Sequence, residues 1–514
     1  MSTRRSVVVV GGGVAGLAAA RLLARHADVV LLERESRVGG KLTTVEFRGR
    51  PLDVGPDNFI TRNDAAERLC RELGLGDDLL APATSSAAVY SRGRPRRLPA
   101  GLVLGVPTDL GALRRSGIVG AGAAFRAALD LVLPRSAVSA ALADVADDPR
   151  AGDVGAADGP DPTVHEVLVP RLGRSVVAAL VDPLLGGINA GDCSTLSLRA
   201  AAPQLASAAA EGRSILRALR ARASARPAGG EPTGASRSPL FLGLTGGIET
   251  LVSRLAEECE RRGASLRAAS PVTGLELRPG EERGPWLVRC GSEALHADGV
   301  VLALPAQGAS HLLAPVAPDL ARECGSIAYS GVVTVTLAWD AGSVPPALAS
   351  RIGPRSSRRS GDGSSVGSSA VLPGSGVLVP RAVGGIVTAA TFTSTKWPRS
   401  AGPGEVVVRV SAGRDGDERA LALGDGELVA AVRAELASLL GIVATPLDSL
   451  VWRWPASFPQ YTSGHLARAA RIAGLAEALP GLALAGAAYD GIGIPACVAS
   501  GERAAAILGG RLGG

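Results

Sequence analysis

The sequence predicts an α/β fold, and three observations within residues 7–41 predict it. Residues 7–10 are four consecutive valines, the composition of a parallel strand covered on both faces. Gly11, Gly13 and Gly16 follow at G-x-G-x-x-G spacing and open onto residues 17–23, rich in the helix formers Ala and Leu. Residues 29–32 form a second apolar run, which Glu33 closes 17 residues beyond Gly16. Each part has a physical task in a Rossmann-like βαβ unit that binds a dinucleotide. Gly11 permits the tight turn, Gly13 lets backbone approach a pyrophosphate, and Gly16 lets the helix pack near the strand. The first N–H groups of the helix, at Val14 and Ala15, and its positive dipole end face the phosphates. Glu33 stands where an acid accepts hydrogen bonds from a ribose. The chain has 67 glycines, so the spacing alone is a weak signal. Strand, helix and acid together make it a strong one.

Arg37, Val38, Gly39, Gly40 and Lys41 extend the fingerprint as R-x-G-G-K. Glycines here let backbone pass close to a second phosphate or a flavin edge. This extension resembles the FAD-binding flavoprotein superfamily of amine oxidases, phytoene desaturases and protoporphyrinogen oxidases, and not the NAD dehydrogenases. FAD is the cofactor this implies.

At 514 residues the chain is long enough for two or three domains. The net charge is +6, but no single basic run stands out and aromatics are 3% of residues, which argues against nucleic acid. Lys41 and Lys396 are the two lysines, and every other basic side chain apart from histidine is arginine. The stretch 92–97, RGRPRR, reads either as a solvated loop or as a surface for an anionic ligand or membrane. The six cysteines form no C-x-x-C pair and there are five histidines, so no metal site is expected. Scattered thiols suit a reducing, cytoplasmic setting. Arg4 and Arg5 before an apolar run resemble a signal peptide, but that run is the nucleotide-binding strand. No uncharged stretch is long enough to span a bilayer; residues 117–133 come closest and are interrupted by Arg126 and Asp130.

The remaining elements follow in order. Residues 43–47 and 51–54 read as strands around a turn at 48–50, and 65–75 as a helix ending at Gly76. Residues 121–133 and 164–185 carry apolar residues at helical spacing. The stretches 144–162, 221–238 and 353–376 read as exposed loops or low-complexity insertions. Residues 242–255 predict a turn into an amphipathic helix. Strands are expected at 266–272, 275–277, 286–290, 297–304, 332–338, 383–393 and 406–410, and a helix at 426–440. Residues 482–508 read as strand, glycine loop and helix. The expected division is 1–85, 241–305 and 451–514 for the dinucleotide-binding domain, 86–240 for a helical region with part of a substrate domain, and 306–450 for the rest of an α+β substrate domain.

Two further constellations bear on function. Gly55, Pro56, Asp57, Asn58 and Phe59 follow a strand that would deliver them to the cofactor cleft. Gly486 and the run Gly491, Ile492, Gly493, Ile494 and Pro495 precede a final helix, whose N-terminus could face the flavin edge where negative charge develops on reduction.

GPDNF at 55–59, Lys396-Trp397-Pro398, Arg453-Trp454, Pro459-Gln460-Tyr461, Gly464-His465 and GAAYDGIGIPAC at 486–497 together resemble the FAD-dependent protoporphyrinogen/coproporphyrinogen oxidase family. P-L-L-x-G-I at 183–188 and A-G-D at 190–192 fit as well. The match is closest to the soluble Gram-positive branch associated with coproporphyrinogen III. The resemblance implies FAD held at the positions of Gly11, Gly13, Gly16, Glu33, Arg34, Gly40 and Lys41, by Val272 near the adenine, and by the 491–495 loop. It implies oxidation of a porphyrinogen with O2 as acceptor and H2O2 released, within haem biosynthesis, with transient contact to other enzymes of that pathway. Mitochondrial and plant members carry an arginine where this chain has Ala87, so propionate recognition is expected from Arg62, Arg92 or Arg94 instead. No acid–base dyad is evident; Asp57, Tyr461, His465 and Tyr489 are the polar candidates in marked motifs. The rival readings are a protoporphyrinogen IX oxidase, an amine oxidase or desaturase, and a non-catalytic prenyl carrier of the same fold. An amine oxidase would want an aromatic cage and a lysine near flavin N5. A carrier would not need an intact R-x-G-G-K.

Overall fold

The computed structural model describes residues 4–134, 137–138, 141–142, 159–225, 239–281, 284–345 and 372–512. The four valines sit in β1 (Arg5–Val10), followed by α1 (Val14–Leu23) and β2 (Ala27–Leu32). These strands lie inside a five-stranded sheet in the order Ser265–Arg267, β2, β1, Gly299–Leu302, Leu482–Leu484, every pair parallel. The strands come from the beginning, middle and end of the chain. Val7 and Val9 enter one core with α1, the helix Glu249–Arg261 and the C-terminal helix Ile494–Leu512. Val8 and Val10 enter another with Trp286, Leu312 and Leu320. A strand sandwiched in this way has no polar face, which is why its sequence does not alternate.

A second, seven-stranded sheet runs in the order Asp448–Pro459, Tyr329–Asp340, Glu405–Ala412, Val387–Thr391, Gly376–Leu378, Ala87–Ser91, Arg94–Arg97. Its pairs are antiparallel except Gly376–Leu378 with Ala87–Ser91. Along Glu405–Ala412, Val406, Val408 and Val410 alternate into the core beneath the helix Asp425–Leu440. The opposite face presents Arg409 to the loop after β4 (Arg50–Asp53), which pairs with β3 (Thr44–Phe47). The strand Asp448–Pro459 crosses the domain division expected at 450 and belongs to this sheet.

Helices fill the region between the first and second contributions to the five-stranded sheet. The helix expected over 164–185 is two pieces. Val164–Leu172 starts with a capping box between Thr163 and Glu166 and stops at Gly173, whose φ is +85°. A π-helical segment, Val177–Gly186, follows and contains Pro183. Proline has no N–H to donate and crowds the preceding turn, so the regular ladder is lost there. Of the expected loops, residues 144–158, 226–238 and 353–371 lie outside the described residues. Residues 221–225, expected within a loop, continue the helix Ile215–Ala225. Among the described residues no helix is long and apolar enough to cross a membrane.

Asp130, which interrupts the apolar stretch 117–133, is fully buried and holds this region together. Arg171 Nε donates to its Oδ1 at 2.5 Å, and Ser214 Oγ and Leu216 N donate to its Oδ2 at 2.7 and 2.9 Å. Arg171 also donates to the carbonyls of Pro134 and Arg213. Arg171→Met would leave the carboxylate buried without its cation, which costs about 3–5 kcal/mol. A urea denaturation series should show a loss of that size; a change below about 1 kcal/mol would mean the pair carries little of the stability.

Candidate functional site

Three glycine-containing loops meet at the C-terminal ends of the parallel strands. Gly11 has φ +103° and donates its N–H to Leu32 O at 2.8 Å. A Cβ on Gly16 would lie 1.9 Å from Gly11 O, so only glycine lets α1 pack here. A Cβ on Gly13 would meet nothing within 4 Å. The start of α1, with no side-chain cap, therefore faces clear space, as a cradle for phosphate requires. The R-x-G-G-K segment folds against this loop: Gly39 N donates to Gly12 O at 2.7 Å, and a Cβ on Gly40 would stand 3.4 Å from Gly13 Cα. Glu33 is fixed by its own backbone surroundings, its Oε2 accepting from Gly12 N at 2.6 Å and its Oε1 from Glu35 N at 2.9 Å. Ser270 N donates to Glu33 O at 2.7 Å, which brings the strand beginning at Val272 alongside. Arg34 is exposed and pairs with Glu35 at 3.0 Å.

The second loop is latched from below. A Cβ on Gly55 would lie 2.1 Å from Lys41 O, so this glycine is required by close approach of two backbones. The buried Asp57 accepts from Lys396 Nζ at 2.9 and 3.1 Å and from Trp397 Nε1 at 2.9 Å, with Arg409 at 3.6 Å. Burial pushes its carboxyl up, but Lys396 and Arg409 outweigh burial and hold it well below the usual carboxylate range. Arg409 also donates to Asp53 O at 2.6 Å and Gly55 O at 2.9 Å. Arg399 pairs with the buried Asp53 at 2.9 Å. The sequence reading missed Asp53, Arg399 and Arg409. The signal was one arginine, Arg409, inside the apolar strand Glu405–Ala412.

The third loop closes the site. Gly486, Gly491 and Gly493 have φ of +126°, +125° and +112°, which only glycine adopts without strain. Gly486 N donates to Ser500 Oγ at 2.8 Å. A Cβ on Gly501 would lie 2.1 Å from Ala15 O, so the C-terminal helix touches the start of α1. Lys41 joins the loops: its ammonium donates to Ser457 O and lies near Cys497 in the helix begun by Ile494. Burial lowers the Lys41 ammonium and raises the Cys497 thiol to about 11, each partly offset by the other.

The fold thus gathers Gly11, Gly13, Val14, Ala15, Gly16, Glu33, Gly40, Lys41, Gly55 and the 486–494 loop. It does not join Arg62, Arg92 and Arg94 to them through any bond among the described residues. Arg62 is exposed and donates to Gln204 at 3.1 Å. Arg92 and Arg94 are exposed at the turn of the edge hairpin formed by Ala87–Ser91 and Arg94–Arg97. Tyr489 points to Cys324, 4.0 Å away, and burial pushes its phenol up.

His465 is 1% exposed and neither ring nitrogen has a hydrogen-bond partner. It stacks on Tyr461 with centroids 4.0 Å apart. Burial, and then the charge of Arg468, lower it to about 4. Between about pH 4 and 6.5 the unfolded chain therefore binds a proton that the folded chain refuses. The contribution of His465 is fully present above that window and is lost as pH falls through it. His465→Phe keeps the stack and should remove this loss, roughly 3 kcal/mol across the window. Urea midpoints of variant and parent measured from pH 7 to 4 should diverge; parallel curves would refute the shift.

Comparison with known proteins places this geometry. A model of the family "Flavin containing amine oxidoreductase" matches residues 14–508. The coproporphyrinogen III oxidase of Mycobacterium tuberculosis is 34% identical over 509 residues, covering 98% of this chain and 97% of that protein. The protoporphyrinogen oxidase of Bos taurus is 30% identical over 530 residues, covering 98% of each. A crystal structure from Exiguobacterium sp. 255-15, assigned as a protoporphyrinogen oxidase, superposes with a TM-score of 0.78 at 30% identity over 99% of both chains. The amine oxidase cyclohexylamine oxidase of Brevibacterium oxydans shares the fold at a TM-score of 0.66 and 17% identity. Because the family match runs from the first turn of α1 to the last helix, and the relatives align end to end, the chain belongs to the flavin-containing amine oxidoreductase family and its cofactor is a flavin.

Proposed function

We propose that the protein is an oxygen-dependent coproporphyrinogen III oxidase of haem biosynthesis, using FAD to convert coproporphyrinogen III to coproporphyrin III. The observation that carries this reading is its end-to-end similarity, at 34% identity, to a mycobacterial coproporphyrinogen III oxidase. A bound FAD would supply two-electron redox chemistry, so that removal of six hydrogens from the porphyrinogen would consume three O2 and give three H2O2. The residues fit the cofactor. Gly11, Gly13, Val14, Ala15 and Gly16 offer backbone to the pyrophosphate, and the open space beside Gly13 supports that role. Glu33 keeps acceptor capacity for ribose hydroxyls after its two backbone bonds, since a carboxylate has about four lone-pair sites. Arg34 and Val272 flank the adenine side. Gly40, Lys41, Gly55, Pro56 and Asp57 lie on the flavin side with Gly486, Ile492, Gly493 and Ile494. The Asp57 side chain is committed to Lys396 and Trp397, so this loop meets the cofactor with its backbone. We place the enzyme in the cytoplasm, which its unpaired cysteines suit.

The second reading, protoporphyrinogen IX as the main substrate, is favoured by the bovine relative. Chemistry separates the two. Coproporphyrinogen III carries four propionates, and protoporphyrinogen IX has vinyl groups in place of two. Cations arranged for four carboxylates and buried by the bound substrate would stand unpaired against the vinyl substrate, at about 1–3 kcal/mol each. Arg62, Arg92 and Arg94 are the proposed partners. Oxidation of both porphyrinogens by the purified enzyme should give kcat/KM at least tenfold higher for coproporphyrinogen III, and equal values would favour the second reading. Arg62→Ala, Arg92→Ala and Arg94→Ala each test one partner, and a true partner weakens coproporphyrinogen III oxidation more than that of protoporphyrinogen IX.

The cofactor reading has its own test. Denaturation should release FAD into the supernatant, identified by chromatography; flavin retained in the pellet would indicate a covalent bond. Gly13→Val puts a side chain into the pyrophosphate ground and should give folded, colourless protein.

A further inference from the structure

We propose that Tyr461 is a positioning residue for the flavin, acting as a clasp on the loop between Ala487 and Gly491. The inference rests on the reading that this loop borders the flavin.

The Tyr461 hydroxyl donates to the Ala487 carbonyl, at the start of the loop. One side chain from outside thus pins the start of the loop. Inside it, Tyr489 N donates to Gly486 O at 3.2 Å, and Asp490 pairs with Arg503 at 2.6 Å. Gly491 and Gly493 take left-handed φ values beyond the clasp. With no Cβ to restrict them, such residues have the widest choice of conformation in the chain. An external tie at Ala487, four residues before Gly491, narrows that choice before the cofactor arrives, and pre-ordering of this kind favours binding.

The clasp is itself rigidly held, and by another part of the molecule. Ser197 N donates to Tyr461 O at 2.8 Å, and Leu196 bridges Thr462. The ring belongs to the core of the helical region, together with Leu196 and Leu198. His465 covers one ring face and, with no polar partner of its own, serves as a flat plate. Burial pushes the phenol well above its ordinary value, so the hydroxyl keeps its proton and remains a donor to Ala487. Tyr461 therefore links the helical region to the flavin side of the five-stranded sheet, and a change in helical packing reaches the loop through it.

Tyr461→Phe removes the hydroxyl and keeps the ring and the stack. In flavin-free protein, hydrogen exchange of the peptide 486–493 should speed up, while His465→Phe leaves it unchanged. In the loaded variant, FAD should dissociate with a Kd roughly tenfold higher, as expected for one lost hydrogen bond that leaves buried backbone unpaired. The flavin midpoint potential should move as well. Unchanged exchange over 486–493 in Tyr461→Phe overturns the clasp. Faster exchange with an unaltered Kd and potential overturns its role in positioning. Were Tyr461→Phe not to fold, the parent protein still decides: exchange over 486–493 in its flavin-free form at the rate of an unstructured chain refutes the proposal. None of these readings uses a porphyrinogen, so a wrong substrate assignment would leave them intact.

Discussion

Asp57 is the interaction on which the architecture depends. Its carboxylate is buried, charged and held by Lys396, Trp397 and Arg409. Beside it Asp53 is held by Arg399, Thr44 and Ile248 N. One acid at the end of β4 and one in the loop after it thus meet three cations: Arg409 on the seven-stranded sheet, and Lys396 and Arg399 from the connection between its strands Val387–Thr391 and Glu405–Ala412. Taking charges out of water is costly, and such a set is tolerable only when every member is paired. It fixes how the loop at 55–58 lies over the sheet, because any displacement would strand charges in a poorly solvating medium. The same network explains why Lys396 is unsuited to act at the flavin: its ammonium is already engaged.

The candidate cofactor site depends on close backbone contacts that only glycine allows. Gly16 meets Gly11, Gly55 meets Lys41, and Gly501 meets Ala15, each at a distance a Cβ would occupy. The last of these contacts brings the beginning and the end of the chain to one place, and Lys41 adds to it by reaching Ser457 and lying near Cys497. Three chain segments in one sheet make the site a product of long-range closure. It cannot form before the C-terminal helix has docked on α1.

The ionisable groups around this site are tuned toward inertness. Asp57 is kept charged, His465 neutral, and Tyr461, Tyr489 and Cys497 protonated. None of these five groups is poised to exchange protons near neutrality, whereas burial lowers the Lys41 ammonium. That suits a reaction in which the cofactor does the redox work and the protein orients the substrate.

The sequence by itself determined the βαβ unit and its glycines, because four valines, a fixed glycine spacing and a closing acid are local signals of one local structure. Its glycines and prolines at 55–59 and 486–495 marked turns, and only the N-terminal fingerprint and the family resemblance connected those turns with a cofactor. It did not show the latch: Asp53, Arg399 and Arg409 are ordinary charged residues until folding buries them together. Nor did it show that Tyr461 would clasp the 487–491 loop, 26 residues away. The long helix expected over 164–185 failed at Gly173 and Pro183, where backbone chemistry overrode hydrophobic period. Tertiary structure alone decided which charges are paired and which loops meet, because pairing and burial are properties of contacts between segments far apart in the chain.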